Sequence, residues 1–298
     1  MIVSDSDIPS LLQRFADSIF KEMDMMKTKL LEYLPKPTLY PFYGTLLLYF
    51  ILYQPFIGYP PITFLAAFFK ILPVWSLAYF VRSTFKGNLT KLMDNDYKKF
   101  IFIGLLTSSL GDALLVARTT LFIPGMLVFG VAHLFYILAL EPSSGKSRLQ
   151  NLYILGYIAL AVTLQADIDS FIMFCLVMIY MTLILIMSWR ATNAYERTKT
   201  FPALAGCVGS MLFIFSDFLI AVDKWKLSVP FTQFFVMITY YSAQFFLALS
   251  TDTIVERKET TVGIYEKTKT RAAVYSKGPN ICSPTYLVSV GSKDSSGT

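Results

Sequence analysis

The chain has 298 residues, 55% of them apolar and 16% aromatic, with only 15% charged and a mean hydropathy of +0.54. Soluble domains carry about 25% charged residues, so an ordinary water-soluble fold is excluded, as is disorder over most of the length. The net charge of +6 forms no basic stripe interleaved with aromatics outside the apolar segments, so it reads as surface facing anionic lipid headgroups, and nucleic acid is not an expected partner.

From the start of the chain, Met1 to Lys29 mixes acidic and basic residues without the apolar stretch of about 7 to 15 residues that marks a signal peptide, so insertion is expected to begin at the first internal span. Within residues 1–38, Leu12, Phe15, Ile19, Met23, Met26 and Leu30 recur at steps of three and four. That spacing puts them on one face of a helix lying on the inner leaflet. A bilayer-spanning helix needs about 20 largely apolar residues. Segments of that kind follow at Leu39 to Ile57, Ile62 to Val81, Phe100 to Ala117, Leu121 to Leu140, Leu149 to Gln165, Phe171 to Trp189, Ala203 to Val222 and Phe231 to Ser250. After Thr251 the composition turns to Lys, Glu, Ser, Thr and Gly. The expected architecture is therefore an all-α polytopic membrane bundle of about eight transmembrane helices over residues 39–250, between a cytoplasmic amphipathic segment at 1–38 and a flexible cytoplasmic tail at 251–298.

Charge supports that orientation. With the N-terminus in the cytoplasm, the inner segments hold 22 basic residues, the outer loops hold only Arg118, Lys224 and Lys226, and Lys70 lies inside a span. Such a split follows the positive-inside rule. The sequon at Asn88 falls on the inner side and is expected to stay unglycosylated. Three widely separated cysteines, Cys175, Cys207 and Cys282, make no disulfide framework, and the first two sit in apolar runs as small hydrophobes.

An internal duplication is visible. Gly111-Asp112-Ala113-Leu114-Leu115-Val116 resembles Ser216-Asp217-Phe218-Leu219-Ile220-Ala221, and a Pro-containing turn follows each, at Leu121 to Pro124 and at Leu227 to Pro230. Spans three and four thus look like spans seven and eight, which predicts a parallel 4+4 repeat about an axis along the membrane normal.

Ionisable groups at bilayer depth cost about 2.5 to 3.5 kcal/mol each on insertion scales and usually face a protein-lined cavity. Four such residues occur: Lys70, Asp112, His133 and Asp217. Counting along the helices puts Asp112, Asp217 and Lys70 at similar depth and His133 deeper. Two carboxylates at one level repel, so a proton tends to be shared and the pair offers an acid and a base together. A single His without a close Cys pair does not supply the three ligands of a hydrolytic zinc site, and no serine stands in a nucleophile elbow, so neither metal nor cofactor is expected.

The ordered set Lys70 with Pro73, Ser109-Leu110-Gly111-Asp112, then Phe122, Gly125, Phe129, His133 and Tyr136, then Ser216-Asp217, then Tyr240-Tyr241-Ser242-Ala243-Gln244 resembles the lysoplasmalogenase family, the YhhN-like integral membrane proteins. The resemblance covers roughly residues 60–250. It implies hydrolysis of the vinyl-ether bond of a lysoplasmalogen, giving a fatty aldehyde and glycerophosphocholine or glycerophosphoethanolamine. It implies Asp112 and Asp217 as the acid and base, with Lys70, His133, Tyr136, Tyr240 and Gln244 in supporting or substrate-binding roles. A lysophospholipid substrate, surrounding membrane lipids and an endoplasmic reticulum membrane are the expected partners and location, and homo-oligomerisation is left open. The rival readings are a proton-coupled transporter, in which Asp112, Lys70 and Asp217 form a relay, and an intramembrane aspartyl protease. The protease would need its first Asp in a Tyr-Asp pair upstream of Gly111-Asp112, where the first two spans hold no Asp.

Overall fold

The computed structural model describes residues 8–84, 93, 95–140, 147 and 149–252, so the expectations for the sequon at Asn88 and for the tail beyond Asp252 lie outside the described residues. Regular structure among these residues is helical: α1 (Ile8–Tyr33), α2 (Tyr40–Tyr53) entered through a 3-10 turn at Pro37–Leu39, α3 (Phe64–Ser83), α4 (Asp96–Val116), α5 (Arg118–Ala139), α6 (Gln150–Gln165), α7 (Phe171–Thr198), α8 (Phe201–Trp225) and α9 (Thr232–Leu249). Each expected apolar segment overlaps one helix, from α2 to α9. Five of these, α3, α4, α5, α7 and α8, run 20 to 28 residues and are long and apolar enough to cross a membrane. The others are shorter, at 14 residues in α2, 16 in α6 and 18 in α9.

Local chemistry sets the ends. The side chains of Thr63, Asn95 and Ser170 accept hydrogen bonds from the backbone N–H groups of Ala66, Lys98 and Met173, which caps α3, α4 and α7. Helix α2 stops at Gln54, whose φ of 38° is left-handed, immediately before Pro55, which lacks a donor to carry the helix on. The first turn of α5 is irregular at Leu121 (φ −110°, ψ 22°), three residues before Pro124. At the other end of α5, the Arg190 guanidinium donates to the carbonyls of Ile137 and Leu140 at 3.0 and 3.2 Å, satisfying acceptors that a helix C-terminus leaves open.

Consecutive helices pack in pairs, α2 on α3, α3 on α4 and α4 on α5, then α6 on α7, α7 on α8 and α8 on α9, with α5 on α7 and α9 on α3 joining the two sets. Small residues allow the closest approaches. A Cβ on Gly111 would lie 2.6 Å from Phe129 Cδ2, and one on Gly209 would lie 2.9 Å from the Ala243 carbonyl oxygen, so both seams require glycine. Gly111 thereby seats Phe129 against α4 right beside Asp112.

Large apolar side chains point outward from α6, among them Leu152, Ile154, Leu155, Ile158 and Val162. Apolar exposure on that scale suits lipid rather than water. Helix α1 exposes Phe20, Met23 and Leu31 and seats Met25 and Met26 on Tyr195, Leu204 and Cys207. It is tied down where Lys199 Nζ donates to Glu22 at 3.2 Å, and the turn after it is tied where Lys36 Nζ meets Asp252 Oδ2 at 2.6 Å. The side chains of Leu12, Phe15 and Ile19, half of the expected amphipathic face, lie outside the described residues.

Candidate active site

The first carboxylate is on α4. Asp112 is buried, with its side chain 2% exposed, and Lys70 from α3 brings Nζ to 3.4 Å from Asp112 Oδ1 and 3.4 Å from the Asp112 carbonyl. Tyr240 from α9 donates its hydroxyl to Asp112 Oδ2. Lys70 is itself held by its backbone, because the Tyr241 hydroxyl donates to the Lys70 carbonyl at 2.8 Å. This bond falls beside the turn in which Pro73 offers no N–H to the helix ladder. The neighbouring serine is occupied by structure: Ser109 Oγ accepts from Trp75 Nε1 at 2.9 Å and donates to the Leu106 carbonyl.

The second carboxylate is on α8. Asp217 Oδ2 accepts from the Tyr180 hydroxyl of α7, and His133 Nε2 of α5 stands 3.1 Å from that hydroxyl and 4.0 Å from Oδ2. The His133 ring is fully buried and packs edge-on against Phe213, with centroids 4.7 Å apart. Expected to lie deeper than the aspartates, His133 does follow Phe129 by four residues along α5, and Phe129 is the residue that packs beside Asp112. Its Nε2 nevertheless comes within 4.0 Å of Asp217 Oδ2, and the Tyr180 hydroxyl contacts both groups.

Both carboxylates line one cavity, together with Lys70, Tyr240, Tyr180 and Ser216 and an apolar remainder that includes Met126, Phe129 and Met181. Among the described residues, no hydrogen bond joins Asp112 to Asp217 directly. Each carboxylate has its own retinue, an ammonium and a phenol for Asp112, a phenol and an imidazole for Asp217. The Asp217 side chain is also the more open of the two, at 11% exposed.

Of the residues singled out in the sequence, Lys70, Asp112, Asp217 and Tyr240 thus meet at the cavity, and His133 backs Asp217. Tyr136 and Gln244 are not among the cavity's lining residues. They form a buried set of their own, in which the Tyr136 hydroxyl donates to Gln244 Oε1 at 2.7 Å and lies 3.2 Å from Ser108 Oγ. Sequence reasoning missed Tyr180, a neutral residue inside an apolar run. The duplication held a signal for it: Lys70 precedes Asp112 by 42 residues, and Tyr180 precedes Asp217 by 37, each from the helix before the one that carries the carboxylate.

The chain is 32% identical over 222 residues to "Lysoplasmalogenase TMEM86A" of Bos taurus, covering 72% of this chain and 88% of that protein. It is 32% identical over 220 residues to the Homo sapiens protein of that name, with the same coverage, and 32% identical over 218 residues to "Lysoplasmalogenase TMEM86B" of Homo sapiens, covering 70% and 84%. No solved structure matches. The model of the YhhN family matches residues 65–251, which takes in every residue of the two carboxylate clusters, and the chain belongs to that family.

Proposed function

We propose that this protein is a membrane lysoplasmalogenase, hydrolysing the vinyl-ether bond of lysoplasmalogens by general acid/base catalysis with Asp217 as the acid and Asp112 as the base. The observation that carries the reading is the pair of carboxylates on one apolar-walled cavity with unlike surroundings. Asp112 faces the Lys70 ammonium at 3.4 Å, which suits a carboxylate that stays ionised. Asp217 meets no Lys or Arg among the described residues and has one carboxyl oxygen engaged by Tyr180, leaving the other to carry a proton.

The reaction follows from those two states. The protonated Asp217 gives its proton to the outer alkene carbon, and the π electrons form that C–H bond, leaving an oxocarbenium ion between the inner carbon and the ether oxygen. Asp112 removes a proton from water as the water oxygen bonds to the inner carbon, giving a hemiacetal. As the hemiacetal collapses, its O–H bond breaks and that electron pair forms the carbonyl, while the bond between carbon and the glycerol oxygen breaks. The glycerol oxygen takes up the proton the hydroxyl has lost, releasing a fatty aldehyde with glycerophosphocholine or glycerophosphoethanolamine. One water is consumed, and the proton gained by Asp112 restores Asp217. The nearby carboxylate also stabilises the cation in a cavity of low dielectric, where fixed charges act most strongly. His133 positions Tyr180, while Tyr136 and Gln244 hold α4, α5 and α9 in register behind the site.

Eight spans with both ends in the cytoplasm, an endoplasmic reticulum membrane and a parallel 4+4 repeat complete the proposal. The repeat is supported by the packing, since exchanging α2 to α5 for α6 to α9 maps the principal neighbouring pairs onto one another. It is supported by the site too: Lys70 and Tyr240 stand to Asp112 as Tyr180 and His133 stand to Asp217.

Purified protein offered alkenyl, alkyl and acyl lysophospholipids side by side tests the function. Only a vinyl ether gains a stabilised cation by protonation at carbon, so cleavage of the alkenyl lipid is expected, with none of the alkyl ether and little or none of the acyl ester. Comparable hydrolysis of the acyl lipid would point to a different enzyme class, and no hydrolysis of any would favour a carrier.

A further inference from the structure

Beside the catalytic cavity, toward the α4–α5 turn, lies a second space that shares Lys70, Leu115, Phe122, Ile220, Val236 and Met237 with it. Its character differs from the apolar chamber below. Arg118 and Lys224 line it, with the Arg118 guanidinium stacked 3.0 Å from the Tyr59 ring centroid and Lys224 Nζ 4.2 Å from that of Phe122. Neither has a carboxylate within ion-pair distance among the described residues, whereas nearby Lys226 is paired with Asp167. Asp223, also on this wall, is committed to structure: Oδ1 accepts from the Thr232 hydroxyl at 2.9 Å and the Val229 N–H at 3.3 Å, and Oδ2 accepts from the Tyr59 hydroxyl at 2.9 Å. Burial pushes the Tyr59 phenol above its ordinary range, so it remains a donor to Asp223 and a neutral ring beneath Arg118. The mouth of the site therefore presents two cations, each held against an aromatic face and neither ion-paired among the described residues.

We propose that Arg118 and Lys224 form a phosphate clamp at the mouth, binding the headgroup phosphodiester of the lysophospholipid whose vinyl ether lies between Asp112 and Asp217. The inference rests on the lysoplasmalogenase reading for the identity of the lipid. Charge and length both support it. A phosphodiester carries one negative charge, and a guanidinium can engage two of its oxygens while an ammonium supplies a point charge. In a lysoplasmalogen five bonds separate the ether oxygen from phosphorus, about 6 Å when extended, and Asp112 lies four residues, also about 6 Å of helix, before the end of α4 and the turn to Arg118. An alkene seated at the carboxylates puts the phosphate at the two cations. The clamp would make the enzyme select phospholipids over neutral ether glycerides and would set which end of the lipid enters first.

Binding of non-cleavable ligands separates this proposal from the catalytic one. A saturated 1-alkyl lysophosphocholine and its phosphate-free counterpart, 1-alkylglycerol, are titrated onto the purified full chain in phosphate-free nonionic detergent. Wild type is compared with Arg118→Gln, Lys224→Gln and the Arg118→Lys control. Each Gln variant is expected to weaken binding of the lysophosphocholine about 10-fold and leave alkylglycerol binding unchanged, with partial recovery in Arg118→Lys, since a phosphate accepts a point charge. Equal loss for both ligands, or no loss for either, overturns the clamp. Inorganic phosphate that displaces the lysophosphocholine from wild type but not from the variants marks a general phosphate site. No displacement, with the ligand difference intact, ties the clamp to a phosphate carried by lipid. Should the wild type cleave no alkenyl lipid, the functional reading falls while these titrations still decide the clamp.

Discussion

Asp217→Asn is expected to lower turnover of an alkenyl lysophospholipid at least about 100-fold, and Asp112→Asn to do the same, because each removes a proton donor or acceptor that acts in the transition state. The amide keeps the shape of the side chain, so expression and thermal stability in detergent should change far less than turnover. The two losses should also fail to add in the double variant, since Asp112 stabilises the cation that proton transfer from Asp217 creates. Initial rates of aldehyde formation, measured with saturating lipid and normalised to folded protein, provide the check. Near-normal turnover in either single variant would exclude the paired-carboxylate mechanism.

Lys70→Met is expected to destabilise the protein by about 3 to 5 kcal/mol as well as to abolish turnover, because it strips the Asp112 carboxylate of its ammonium inside a buried pair. The diagnostic experiment is the double variant Lys70→Met with Asp112→Asn. Removing both charges leaves nothing uncompensated, so thermal stability in detergent should return close to wild type while turnover stays lost. A double variant as unstable as Lys70→Met alone would mean that Lys70 acts through packing rather than charge.

How far the sequence foretold this molecule differs between scaffold and site. The helices were legible because long apolar runs leave few alternatives in a membrane, but their ends were read from apolarity and so missed what polar contacts do. The sixth segment was expected to stop at Trp189, yet α7 continues to Thr198, where Arg190 caps α5 and Ala191, Thr192, Asn193 and Tyr195 are buried against neighbours. Helix α4 starts at Asp96 rather than at the apolar Phe100, since the Asn95 cap can satisfy its first turn. At the site, Lys70, Asp112, His133 and Asp217 stood out because a charge or an imidazole in an apolar run demands a reason. Tyr180 carried no such mark; only its repeat-related position to that of Lys70 hinted at it, and the contact to Asp217 makes the hint concrete. Depth counting placed the aspartates near one level but could not tell that each has separate partners, because that depends on which face of α4 and α8 turns toward α3, α9, α7 and α5. The same limit hid the separation of Tyr136 and Gln244 from the cavity.

The decisive measurement follows a single hydrogen. Purified protein is given an alkenyl lysophospholipid in heavy water, and the released aldehyde is trapped at once as a hydrazone, before exchange beside the carbonyl can proceed, and analysed by mass spectrometry. Proton transfer from Asp217 to the outer alkene carbon predicts one deuterium at the carbon next to the carbonyl and a slower rate than in ordinary water. Aldehyde that carries no deuterium there would mean that the bond breaks without protonation at carbon, and the two-aspartate mechanism would be wrong.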